Sequence, residues 1–190
     1  MEHTNKARRY FNKNAMKNGY ILETPRLLLR EFREEDAPHF FQLNEDSEVI
    51  RYTGDQPFIS VEEARQFLLD YDQYEKYGYG RWAVLLKKPA PIWAGWCGLK
   101  YIPELDETDI GFRFFRRYWG QGYATEAARA CLDYGFRQVA LKRIVGRAMK
   151  ENVASVRVLE KIGMEYWKEF DFMEHPGLYF RKDRSEWQAS

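Results

Sequence analysis

Residues 117–128 read RYWGQGYATEAA, so Gly120 and Gly122 stand one residue apart at the start of a helix-forming run. Glycine accepts backbone conformations closed to other residues and brings no Cβ, so a ligand can approach the main chain. The N–H groups of a first helical turn lack intrahelical partners, and the helix dipole favours an anion beside them. Phosphate binding is the chemistry this spacing could do. An ordinary helix-start turn would use the same glycines.

Two nucleotide-binding patterns use such a turn. A P-loop is excluded because Tyr123 and Ala124 follow the second glycine where a Lys and a Ser or Thr are required. A dinucleotide-binding turn fits better, since strand, turn, helix and strand follow in order and Glu151 stands where a ribose-binding acid could sit. Against it, Thr125 occupies the third glycine position, FRRYW separates strand from glycines, and no second half repeats the plan.

Two further stretches carry polar groups at regular spacing. In NVASVRVLEKIG, Asn152 can cap a helix that Gly163 ends. Asn152, Ser155 and Leu159 follow at i, i+3 and i+7, within about 60° on one helix face. In ETDIGFRFF, strand alternation puts Ile110, Phe112 and Phe114 on one face and Asp109, Gly111 and Arg113 on the other.

The elements that must position these groups follow from periodicity. RLLLREF reads as a strand; EEDAPHFFQLN and SVEEARQFLLDYDQYEKYG read as helices, the second with Ser60 and Glu63 as a capping box. YGRWAVLLKK and IWAGWCGLKYI form an antiparallel pair, and ETDIGFRFF adds a third strand. Ala127, Ala128, Cys131, Leu132 and Gly135 then mark a narrow helix face suited to close packing on a sheet. KRIVGRAM, the helix from Asn152, MEYWKEFDF and GLYFRKD complete the order. The sum is an α+β (α/β) domain over residues 20–188, with one central mixed sheet of about seven strands flanked by about four helices. Most of the aromatics Trp82, Trp93, Trp96, Trp119, Tyr118 and Tyr123 are expected in its core.

Composition narrows the function classes. A 190-residue chain, 45% apolar and with a net charge of +1, has room for one core and no polyanion-binding surface, which argues against nucleic acid. Five basic residues (Lys6, Arg8, Arg9, Lys13, Lys17) face one acid, Glu2, within residues 1–19; this local charge of +4 leaves −3 for the remainder. That segment lacks the apolar stretch of a secretory signal and reads as a flexible basic leader. Cys97 and Cys131, with His3, His39 and His175 scattered, give neither a disulfide framework nor a metal-ligand pattern, so a cytoplasmic protein without a metal is expected. No apolar run reaches the ~18 residues a membrane span needs.

Arg-x-x-Gly-x-Gly from Arg117, the Asn-x-x-Ser helix closed by Gly163-Met164, and TPRLLLREF near the start together resemble the GNAT acyltransferases. Among these the chain is similar to the group of ribosomal-protein N-terminal acetyltransferases, from about Tyr20 to Trp187. The resemblance implies acetyl-CoA as co-substrate, bound in a cleft where two neighbouring parallel strands splay apart. It further implies that the strand stretch Phe112, Arg113, Phe114 lies along the pantetheine arm. Arg117 and the run Trp119, Gly120, Gln121, Gly122, Tyr123, Ala124, Thr125 would hold the pyrophosphate. Asn152 would bind a pantetheine amide, Ser155 would polarise the departing sulfur, and Asp109 would act as base through water.

Leu159 stands where many relatives carry a tyrosine acid, so that route is closed here. A carboxylate near its ordinary pKa of ~3.9 is a poor direct base, so Asp109 needs burial or a water relay. A solvated strand-edge acid paired with Arg113 is the competing reading of Asp109, a plain N-cap that of Asn152, and an indifferent helix serine that of Ser155. The implied activity is N-acetyl transfer to a small-molecule or peptide amine, by a monomer or homodimer. A non-catalytic acyl-CoA-binding module and a dinucleotide-binding domain are the alternatives. The acceptor site is expected from YTGDQPF, the helix after it and the last two strands, with His175 in the loop between them.

Overall fold

Strand alternation and helix caps build one mixed sheet whose two halves meet at a single point. The computed structural model describes residues 19–187, so the basic leader read in residues 1–19 falls, apart from Gly19, outside the described residues. The chain runs through β1 (Leu22–Glu23), β2 (Leu27–Arg30), α1 (Ala37–Glu45), α2 (Ser47–Ile50), α3 (Val61–Leu69) and α4 (Gln73–Tyr77). Then follow β3 (Arg81–Leu86), β4 (Ile92–Ile102), β5 (Glu107–Phe114), α5 (Tyr123–Arg137), β6 (Arg143–Met149), α6 (Val153–Lys161), β7 (Glu165–Phe172) and β8 (His175–Asp183). The sheet order is β1-β2-β3-β4-β5-β6-β8-β7. Every neighbouring pair is antiparallel except β5 and β6.

The strand count is eight where about seven were expected, because residues 22–23 pair with β2 through Leu22↔Leu29. A side chain makes that tight return: the Thr24 hydroxyl accepts from Leu27 N–H at 3.0 Å. The helix count also rises. SVEEARQFLLDYDQYEKYG splits into α3 and α4 because two tyrosines, Tyr71 between the helices and Tyr74 within α4, bond to the main chain of Arg81. Tyr71 Oη accepts from Arg81 N–H at 2.7 Å, and the Tyr74 hydroxyl donates to the Arg81 carbonyl. These tertiary bonds bend the chain where periodicity alone would continue a helix.

Alternation along β3 divides the interior into two layers. Trp82, Val84 and Leu86 join one cluster with the buried face of α5 and with Leu159 of α6, whereas Ala83 and Leu85 join α1 and α3. The expected α5 face is buried as a whole, and at Gly135 a Cβ would lie only 2.7 Å from Ile144 Cδ1. Absence of that carbon lets α5 lie close on the sheet. Cys131 and Cys97 face each other there as free thiols, the Cys131 Sγ donating to the Cys97 Sγ at 3.7 Å. On the other layer, Arg30 and Asp36 form a buried bidentate pair at 2.7 Å that fixes the passage from β2 into α1.

β4 carries a bulge. Val84 pairs with Gly95 and Leu85 with Trp93, leaving Ala94 as the extra residue. A bulge adds local twist. Here it lies beside the end of β5, where Gly95 pairs with Phe114. The parallel contact between β5 and β6 is Asp109↔Val145, after which the two strands part. Each stays fully laddered to its outer neighbour, β4 or β8.

Gly95 is where this geometry is most exposed to substitution, because a Cβ there would collide with the Arg113 carbonyl oxygen and Phe114 Cα, both backbone atoms. Gly95→Ala should lower stability by about 1–3 kcal/mol, as overpacking does elsewhere. Urea unfolding of the variant beside the parent measures it, and an unchanged midpoint would mean that the bulge has slack.

Candidate functional site

The site forms around the point where β5 and β6 diverge, with different groups on the two faces of the sheet. On the α5 face, the backbone comes first. Phe115 N–H donates to the Ala94 carbonyl at 3.1 Å, so ladder alternation turns the peptide groups of Phe112 and Phe114 toward the β6 side. Beyond Asp109↔Val145 no strand pairing reaches them. The Phe114 carbonyl is taken by the Trp119 indole N–H at 2.8 Å, which leaves the Phe112 peptide groups as the open pair.

The glycine turn follows directly. Gly120 and Gly122 have φ of +72° and +80°, left-handed values that explain glycine at both positions. Gly122 is the N-cap of α5 and offers no side-chain acceptor, so the first-turn amides of a 15-residue helix stay uncapped. A Cβ at Gly120 would meet no atom within 4 Å, so the backbone there opens onto free space. Trp119 is 46% exposed, unlike the buried Trp82, Trp93 and Trp96. Arg117 lies over the Phe115 ring, 4.1 Å from its centroid. Gln121 reaches back to the Arg117 carbonyl at 2.8 Å.

A clamp that the sequence did not reveal holds this turn. Arg26 Nη1 donates to the Gln121 carbonyl at 3.0 Å and its Nε to Glu126 at 2.6 Å. Its guanidinium also stacks over Tyr123 at 4.4 Å. Glu126, in the first turn of α5, accepts in addition from the Thr24 hydroxyl at 2.6 Å and Arg26 N–H at 3.0 Å. Burial pushes the Glu126 carboxyl up, but these donors outweigh it and hold the group below its ordinary value. Thr24 and Arg26 belong to the TPRLLLREF stretch, yet their partners lie about a hundred residues away, and spacing carries no such signal.

Asn152 caps α6, its Oδ1 accepting from Ser155 N–H at 3.1 Å. The plain-cap reading therefore holds for the oxygen, and the amide NH2 remains available. Ser155 is half-buried, and its hydroxyl has no hydrogen-bond partner among the described residues. Leu159 is 2% exposed and packs under β6, 2.6 Å from where a Cβ on Gly146 would stand. The face shared by Asn152, Ser155 and Leu159 thus runs from the open end of the helix down into the core.

Asp109, Gly111 and Arg113 lie on the opposite face, toward α1 and α3. Arg113 is not the partner of Asp109; it donates to Asn44 at 2.6 Å and pairs with Asp55. Its side chain therefore stands away from the glycine turn. Asp109 is 6% exposed and sits between Arg147 Nε at 3.3 Å and Arg81 Nη2 at 3.7 Å, with Lys100 opposite it on β4. Burial raises its pKa, and the cations Arg147, Arg81 and Lys100 oppose that rise. The solvated-edge reading of Asp109 is thereby excluded.

Above this cluster lies a cavity of about 520 Å³ bordered by Asp55, Gln56 and Phe58 of the expected loop and by Phe67 and Asp70 of the α3 region. Its sheet side comes from β3–β5 through Arg81, Trp96, Lys100 and Arg113, and no residue of the last two strands lines it. The β7–β8 hairpin touches the loop through Met173, which packs on Gly54, while His175 is exposed and does not line the cavity. Among the described residues no group of three His, Cys, Asp or Glu could hold a metal, and no helix is long and apolar enough to cross a membrane.

A splayed parallel pair, an uncapped glycine helix start and a cavity behind them are the arrangement that the sequence resemblance implied. The family described as acetyltransferase (GNAT) domain matches residues 26–165. The chain belongs to the GNAT acetyltransferases. The protein YkkB of Bacillus subtilis is 36% identical to it over 171 residues, covering 85% of this chain and 95% of that protein. The uncharacterized N-acetyltransferase YnaD of the same organism is 35% identical over 145 residues, 75% of this chain and 81% of its own length. The crystal structure of a GNAT-family acetyltransferase from Bacillus anthracis superposes with a TM-score of 0.74 at 31% identity, covering 87% of this chain and 99% of that one. The chain is accordingly an N-acetyltransferase with the GNAT fold, a family that uses acetyl-CoA.

The cap itself can be tested apart from any ligand. Asn152→Ala should lose about 1 kcal/mol of stability, the usual worth of an N-cap, whereas Asn152→Asp should keep most of it. Chemical denaturation of the unliganded protein checks this; equal losses in both variants would assign the residue to something other than capping.

Proposed function

We propose that this acetyltransferase moves an acetyl group from acetyl-CoA to a primary amine by direct attack in a ternary complex. One observation carries the reading: β5 and β6 separate at Asp109↔Val145, beside the uncapped start of α5. The open Phe112 peptide groups suit the amides of a pantetheine arm. The amides from Trp119 to Thr125 suit a pyrophosphate, since a helix N-terminus with left-handed glycines favours an anion. Bound acetyl-CoA would supply the thioester carbonyl and a thiolate leaving group.

The chain's own residues would do the rest. Asp109 lies at the vertex of the splay and can take a proton from the amine through water; its raised pKa makes it a better base than an ordinary aspartate. The free Ser155 hydroxyl can donate to a sulfur gaining negative charge. The NH2 of Asn152 can hold an acceptor oxygen while its Oδ1 caps the helix. Positioning two reactants in one cleft supplies much of the rate by itself.

Thermal melts test the cofactor. A ligand that binds only the native state adds about 2.7 kcal/mol at a hundred times its Kd. Acetyl-CoA and CoA should raise the Tm and NAD should not; an equal shift with NAD would return the glycine turn to the dinucleotide reading.

Kinetics on a competent amine separate the side chains. Ser155→Ala should lower kcat about 10²-fold, the low end for a lost transition-state donor, with little change in acetyl-CoA affinity. Full kcat would leave the serine as a helix surface residue. Asp109 must be ionised to accept a proton, so the log of kcat/KM should steepen below its raised pKa, adding a second proton to the limb set by the amine. Asp109→Asn should lower the rate and remove that second proton; an unchanged slope assigns the base elsewhere.

A further inference from the structure

The cavity behind Asp109 carries an unusual balance of charge. Arg81 and Arg147 both pair with the Asp109 carboxylate, and Lys100, its cross-strand neighbour, has no ion pair among the described residues. Three cations thus share one anion, a local excess of +2. Of the acids that line the same cavity, Asp55 is engaged by Arg113 and Asp72 by Lys76, while Asp70, bonded only to neutral Gln66, brings the excess to +1.

The guanidinium of Arg81 is held in place rather than free to leave. It lies over the Trp96 ring at 4.6 Å and over Gly111, where a Cβ would stand 2.9 Å from Nη2. Glycine at 111 is what lets the fork lie flat on the sheet. Its Nε is buried with no hydrogen-bond acceptor. A buried donor without a partner and a lysine without a counter-ion both cost free energy that an anion in the cavity would recover. Burial and the neighbouring Arg81 lower the Lys100 pKa, as expected for a cation beside other cations. The same cavity carries an aromatic lining of Phe32, Phe40, Phe58, Phe67 and Tyr71.

We infer that the acceptor amine carries a carboxylate, which Lys100 and Arg81 bind, and an apolar body that rests on the aromatic wall: a small molecule of the amino-acid type. This rests on the acetyl-transfer reading above and adds to it the class of acceptor. A polyamine would meet Arg81, Lys100 and Arg147 with like charge. A volume of about 520 Å³ lies within the range of small-molecule sites and holds an amino acid with its side chain. In the reaction, the N–C bond to the acetyl carbon forms as the C–S bond breaks. The amine proton passes through water to Asp109, and the electron pair leaves on sulfur.

The test is CoA-thiol release from acetyl-CoA with the common amino acids, their carboxamides and spermidine, on the full chain. The free acids should exceed their matched amides at least tenfold in kcat/KM, with the apolar and aromatic members leading. Lys100→Gln should lower the acid-to-amide ratio of kcat/KM about tenfold, since any effect through Asp109 falls on both classes alike, and Lys100→Arg should restore the ratio. Amides or spermidine turned over as well as the acids, or Lys100→Gln reducing acids and amides equally, would overturn the carboxylate assignment while acetyl transfer stands. Thiol release with none of these amines, from protein whose Tm still rises with acetyl-CoA, would overturn the amino-acid acceptor and leave acetyl transfer standing.

Discussion

The geometry depends on how weakly β5 and β6 are joined. A sheet gains from continuous pairing, and both strands are laddered fully on their outer sides, yet they meet in parallel at Asp109↔Val145 and then diverge. The β4 bulge supplies a mechanical reason. The extra residue Ala94 sends its carbonyl to Phe115, twisting the end of β5 away from β6. What the sheet loses in hydrogen bonds it gains as a slot through its centre. The α5 face reaches the slot with bare backbone, and the α1–α3 face reaches it with charged side chains.

That division sets the electrostatics. Main-chain N–H groups at an uncapped helix start present partial positive charge without burying any charged side chain, and the Arg26–Glu126–Thr24 network steadies the turn from outside. Across the sheet the opposite solution holds. Asp109 is buried among arginines, so desolvation and attraction pull its pKa in opposite directions, and desolvation wins. A carboxylate fully compensated by its cations would be too weak a base, and one with no cations would stay protonated. The position between these limits follows from distances of 3.3 and 3.7 Å, longer than those of the buried Arg30–Asp36 pair.

Features set by local chemistry were legible in the sequence. The α5 face Ala127, Ala128, Cys131, Leu132, the Asn152 cap and the alternation of Asp109 against Ile110 all follow from neighbours within a few residues, and the fold shows each of them. Features set by distant partners were not. Tyr71 and Tyr74 break a helix through the main-chain N–H and carbonyl of Arg81, and Arg113 is drawn to Asn44 and Asp55 instead of Asp109. Arg81, Lys100 and Arg147 come from three different strands, and only their register brings them to one carboxylate. The cavity lining was half legible for the same reason: the loop with Asp55 and Phe58 was marked by composition, but the strand side depends on which face of β3–β5 points inward.

The loss of tyrosine at 159 has a structural counterpart. Leu159 fills the space beneath Gly146 and beside Ile110, the two residues nearest the parting of the strands. A phenol there would need room that the apolar packing denies and a partner for its hydroxyl, which this part of the core does not offer. With the lower part of the α6 face committed to packing, polar chemistry is confined to its first turn, where Asn152 and Ser155 stand. The same cap that starts the helix therefore places the serine, so the stability of α6 and the position of its one free hydroxyl rest on a single hydrogen bond from Ser155 N–H to Asn152.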